Sequence, residues 1–155
     1  MIPASYNGQG QAGTPGGPFR RVLVAWDGSP DSVAALTTAA ALVSGGAGHV
    51  VALTVLPECT HVEGAESDAD AQRVRQDFAR ARAALQATSR SRIDLHTAAG
   101  RQVASSLCGY ATEHGFDLLV LGRHGDGGVL HPRLGRVAEA AVKASEVPVL
   151  LVSGR

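Results

Sequence analysis

The sequence predicts a doubly wound α/β fold, a parallel sheet with helices packed on both faces. Three observations lead to it. Short apolar runs such as Val22-Leu23-Val24-Ala25 and Leu118-Leu119-Val120-Leu121 carry Val and Leu without polar alternation, as strands buried on both faces do. Other stretches place apolar residues at helical spacing, with Val74, Phe78, Ala81 and Leu85 as the longest case. The two patterns alternate along the chain, which is how βαβ units are built.

Met1 to Pro18 is rich in Gly, Pro, Gln, Ser and Asn, too poor in apolar side chains to offset its ordering entropy. It is expected to be a disordered tail, leaving one domain from Phe19 to Arg155. Arg21 to Trp26 reads as the first strand, closed by the turn Asp27-Gly28-Ser29-Pro30. Ser29 suits an N-cap, Pro30 the first helical position, and Asp31 the positive end of the helix dipole. That helix continues through Ala34, Leu36 and Ala40 and stops at Gly45-Gly46. His49 to Leu56 is a second strand, Pro57 to Ser67 a polar loop, and Asp68 the start of a long amphipathic helix. Arg92 to Ala98 follows as a third strand with Ile93, Leu95 and Thr97 on one face, ended by Gly100. The next helix turns Val103, Leu107 and Ala111 inward and closes near His114-Gly115. Asp117 to Leu121 is the fourth strand, Gly122 to Leu134 a loop, Gly135 to Ser145 the last helix, and Pro148 to Val152 the fifth strand.

A chain of 155 residues can build one domain with a sizeable core and is too short for two ordinary ones. Formal net charge is zero, so no bulk field favours nucleic acid or an anionic membrane. No apolar run approaches the roughly 20 residues of a membrane span. The N-terminus has no basic segment leading into an apolar one, unlike a secretory signal. Cys59 and Cys108 make neither a disulfide framework nor a C-x-x-C pair, which fits a reducing, cytoplasmic setting. Cys108 falls on an amphipathic helix as a small buried hydrophobe, and Cys59 in a polar loop.

In a doubly wound sheet, ligands bind beyond the carboxyl ends of the strands where the strand order reverses. Asp27 lies just past the first strand and the glycine-rich stretch from Gly122 just past the fourth. If those strands are central neighbours, both face one crevice. A carboxylate there can accept from ribose hydroxyls, while glycine-loop and helix N–H groups can hold phosphates. Asp27-Gly28 alone reads equally well as a turn. The glycine spacing matches neither G-x-G-x-x-G nor the Walker pattern. No G-x-S-x-G elbow is present for Ser-His-Asp chemistry. His124 and His131 lack metal-ligand spacing and are expected to be loop-bonded or solvent-exposed. Trp26 alternates away from Ala25 and Asp27, which predicts packing under a helix and not base stacking.

The segment Val22 to Ala35, reading VLVAWDGSPDSVAA, and the segment Asp117 to Val152 resemble the universal stress protein family. The family's loop reads G-x-x-G, nine residues, then G-[ST]; here Gly122, Gly125 and Gly135 fit that spacing. The resemblance covers about Arg20 to Val152 and implies a five-stranded parallel sheet of order 3-2-1-4-5, the adenine nucleotide alpha hydrolase-like fold. It implies an adenine nucleotide as ligand, ATP or AMP, with magnesium compatible and no catalytic residue beyond slow hydrolysis. By the same resemblance Ala25 and Asp27 would meet the ribose or adenine side and Val55 would pack on adenine. Gly122, Gly125, Gly135 and Val137 would hold ribose and phosphates. It also implies a homodimer through the last strand, Val149 to Val152.

The departure is Arg136, where the pattern has Ser or Thr. Its guanidinium can pair with phosphate bidentately, fill the phosphate position itself, or pair with Asp126 or Glu139. Two functions therefore stand open: an ATP-binding stress or signalling protein, and a nucleotide-free dimeric interaction module with its crevice blocked. A flavin-carrying or nucleotidyl-transfer domain is a weaker reading, since aromatics make up only 4% of the chain.

Overall fold

The computed structural model describes residues 18–43, 48–56, 58, 65–125 and 134–154. At its centre is strand β1 (Arg21–Ala25), flanked by β2 (His49–Leu56) and β4 (Leu118–Gly122); β3 (Arg92–Ala99) and β5 (Val149–Val152) form the edges. All neighbouring pairs are parallel and the order is β3-β2-β1-β4-β5. The connecting helices are α1 (Pro30–Leu42), α2 (Ala65–Gln86), α3 (Val103–Glu113) and α4 (Arg136–Ala144). The expected doubly wound five-stranded sheet is what forms.

Strand alternation divides the core into two layers. Val22, Val24 and Trp26 point to one face, where Leu36, Ala39 and Val43 of the α1 region and Phe78 of α2 cover them. Leu23, Leu119 and Leu121 point to the other, under Leu107 and Ala111 of α3 and Ala141 of α4. Each fully buried Leu contributes about 1.5–3 kcal/mol by leaving water. The helical spacing Val74, Phe78, Ala81, Leu85 does face this core. Trp26 packs edge-on against Phe78 with ring centres 5.7 Å apart, and its indole N–H donates to the Val74 carbonyl at 3.3 Å.

Several expected boundaries move, for local reasons. Gly122 is not loop but the last residue of β4, because it pairs with Val152. Asp117 lies outside β4; its carboxylate accepts the N–H groups of Arg20 and Arg21, both at 2.9 Å, and so fixes the start of β1. Gly135 is the N-cap of α4 and not its first residue. Helix α2 begins at Ala65, ahead of the expected Asp68, since Ala65 and Glu66 are themselves good helix formers. Val103 is not inward: it opens the first turn of α3 beyond the sheet and is 38% exposed. Cys108 is buried, as its helical position implied. The expectations for the N-terminal tail, Gly45-Gly46, Cys59, Asp126 and His131 lie outside the described residues.

Candidate functional site

β1 and β4 end side by side, and the chain leaves them in opposite directions, β1 into α1 and β4 toward α4. The divergence opens a cavity of about 870 Å³ at the carboxyl end of the sheet. Ala25 lines it from the end of β1 and Asp27 from the turn that follows, Val55 from the end of β2, Gly122 and Gly125 from the β4 side, and Gly135, Arg136 and Val137 from the start of α4. The residues singled out from sequence therefore share one cavity. Leu53, Leu107, Leu121 and Val103 make the remaining wall largely apolar.

Asp27 closes an Asx turn: its Oδ1 accepts the Ser29 N–H at 2.9 Å. That turn aims the other oxygen at the glycine loop, and a Cβ on Gly125 would lie 3.0 Å from Asp27 Oδ2. Acid and loop thus come into near contact at one edge of the cavity. Gly122 answers a different demand, because a Cβ there would stand 2.6 Å from the Cβ of Asp31 on α1. Glycine is needed at that point for β4 to pass the helix.

The two helix N-termini near the cavity differ. In α1, Ser29 caps its own helix by accepting the Ser32 N–H on Oγ at 3.2 Å. In α4 the cap is Gly135, which has no side chain to offer; its own N–H donates to the Arg123 carbonyl at 2.7 Å. Among the described residues nothing accepts the N–H groups of Arg136, Val137 and Ala138, which lie at the positive end of a helix dipole. Arg123 and Arg136 add two formal positive charges to this wall, and Asp27 a negative one opposite. Arg136 is exposed, and among the described residues it makes no ion pair. Arg136 is one of the residues lining the open cavity.

Sequence reasoning missed Asp31. It served there as a residue favouring the dipole, whereas in the fold it is 9% exposed and carries three hydrogen bonds. Oδ2 accepts the His124 backbone N–H at 3.0 Å and lies 3.3 Å from that residue's Nδ1. Oδ1 accepts the Gly154 N–H at 2.6 Å. Burial pushes the pKa of Asp31 up, but the bonds from Gly154 and His124 outweigh it and hold the carboxyl below its ordinary value. The partners lie 93 and 123 residues away along the chain, so no local pattern could have revealed them.

Among the described residues no cluster of His, Cys, Asp and Glu could hold a metal ion, and no helix is long and apolar enough to cross a membrane.

No curated protein sequence resembles this chain significantly. Among solved structures, the hypothetical protein MJ0577 is 21% identical with a TM-score of 0.76, over 88% of this chain and 96% of the other. A universal stress protein in complex with cAMP is 24% identical, TM-score 0.65, over 88% and 98%. A universal stress protein family protein of Arabidopsis thaliana with AMP bound is 15% identical, TM-score 0.61, over 88% and 92%. At these identities the likeness is one of fold. The sequence model of the universal stress protein family, however, matches residues 18–153, nearly the whole described domain, and the chain belongs to that family.

Proposed function

We propose that this protein binds an adenine nucleotide, ATP foremost, in the crevice between β1 and β4, and acts in stress response or signalling through its nucleotide-dependent state. The observation that carries this is the facing of Asp27 and Gly125 beside an uncapped helix N-terminus. A carboxylate at one end and backbone donors at the other match ribose and phosphate. In this reading Asp27 accepts from the ribose, while Ala25 and Val55 pack beside the adenine. Gly122, Gly125, Gly135 and Val137 supply close backbone approach to ribose and phosphates. Arg136 adds a charge-assisted bond to a phosphate, and magnesium can accompany ATP. AMP-bound and cAMP-bound proteins of similar fold lend support. Among the described residues lining the cavity, the carboxylate that could activate water is Asp27, which this reading commits to the ribose; hydrolysis would be slow at most. A cytoplasmic setting accords with the cysteine usage described above.

The competing reading, a nucleotide-free module blocked by Arg136, predicts a filled crevice. An open cavity of about 870 Å³, with Arg136 in its lining and itself exposed, favours the nucleotide. Calorimetric titration with ATP separates them. The wild type is expected to bind, and Arg136→Ser to bind about three- to tenfold more weakly through loss of a charged hydrogen bond. Binding by Arg136→Ser alone would establish the blocked crevice, and binding by neither would end the ATP reading.

A further inference from the structure

We propose that Asp31 is a positioning residue that holds the phosphate-side loop and the C-terminal tail in one arrangement, so that filling the crevice and ordering the tail are linked. The geometry brings three distant parts of the chain to one buried carboxylate. His124 belongs to the segment leaving β4 along the cavity, and its backbone N–H is committed to Oδ2 at 3.0 Å. Gly154 follows β5, and its N–H is committed to Oδ1 at 2.6 Å. Asp31 itself is fixed by the first turn of α1, which Ser29 caps and Pro30 stiffens. A further bond closes the circuit, for the Arg123 N–H donates to the Val152 carbonyl at 2.8 Å. Loop and tail are thus tied to each other and to the helix.

The chemistry requires a carboxylate. Two backbone N–H groups approach from different segments, and each takes its own oxygen, an arrangement only an acceptor-only group satisfies fully. Asparagine offers one oxygen and one NH₂, so one of the two N–H groups would face a donor and stay unpaired. In a site this buried, that loss is felt in full. The effect on Gly125 is direct, since it follows His124 and is the residue facing Asp27. Displacing His124 would shift Gly125 against Asp27 at the edge of the cavity. The ligand part of this inference rests on the nucleotide reading above; the positioning of loop and tail does not.

The test compares the full-length wild type with Asp31→Asn by ATP calorimetry and by amide hydrogen exchange resolved at single residues. Without ligand, the amides of His124 and Gly125 are expected to exchange about tenfold faster in the variant, whose circular dichroism stays native. Equal exchange would overturn the positioning role. With ATP, the variant is expected to bind about tenfold more weakly, and unchanged affinity would overturn the ligand link. In the wild type, saturation with ATP is expected to slow exchange of the Gly154 amide by more than it slows the core amides of β1 and β2, a difference that global stabilisation alone would not give. A Gly154 rate indifferent to ATP would refute the linkage, and this arm decides the matter if Asp31→Asn fails to fold. Should the wild type bind no ATP, the nucleotide reading and the link to it both fall, while the ligand-free comparison still decides whether Asp31 positions the loop.

Discussion

Two carboxylates four residues apart, Asp27 and Asp31, have opposite situations. Asp27 is exposed at the mouth of the crevice; Asp31 is buried and fully engaged. Because the folded pKa of Asp31 lies below its usual 3.8, its contribution to stability is fully present above that value. It is lost as pH falls through the folded pKa. Asp94, held down by His49 and Arg92 against the opposing effect of burial, has the same sign. Urea unfolding at about pH 6 and about pH 3 is expected to show wild type losing more stability on acidification than Asp31→Asn does. Equal losses would remove Asp31 from the acid response. At the neighbouring glycine, Gly122→Ala puts a methyl 2.6 Å from the Asp31 Cβ, a rigid neighbour. It is expected to cost about 1–3 kcal/mol, read from the urea midpoint. The Asp27 turn was legible in Asp-Gly-Ser-Pro because turn chemistry is local. Asp31 was not, because its partners come from the far end of the chain.

The helices show how far local pattern carries. The start of α1 was readable from Ser29-Pro30, and the Ser29 cap forms as expected. Ser29→Ala should lower stability by about 1 kcal/mol in thermal or chemical unfolding. The start of α4 was visible only as a glycine, and its meaning, a helix end with no side-chain cap among the described residues, depends on what surrounds it. Leu107 of α3 is wholly buried beneath the sheet's second layer. Leu107→Ala is therefore expected to cost about 2–5 kcal/mol and to lower the urea midpoint accordingly. A cost below about 1 kcal/mol would mean that the α3 face collapses to fill the cavity. Val103, at the same helical spacing, misled the periodicity argument. Periodicity identifies the face of a helix but not whether each end of that face has something to cover it.

For the molecule as a whole, the order β3-β2-β1-β4-β5 leaves β5 paired only with β4 among the described residues, and its four residues are half-buried. An open edge of that kind is normally covered. We expect a homodimer formed by pairing of Val149–Val152 across a two-fold axis. A monomeric sedimentation coefficient at tens of micromolar would refute it. The sequence by itself determined the alternation of strands and helices, the two-sided burial of β1, β2 and β4, and the composition of the glycine loop. These follow from side-chain period and turn chemistry, which act over a few residues. Only the tertiary structure decided that the loop faces Asp27, that Arg136 lines an open cavity, and that Asp31 binds loop and tail together. Those are distances between segments remote in sequence, set by how layers pack, and no local pattern encodes them.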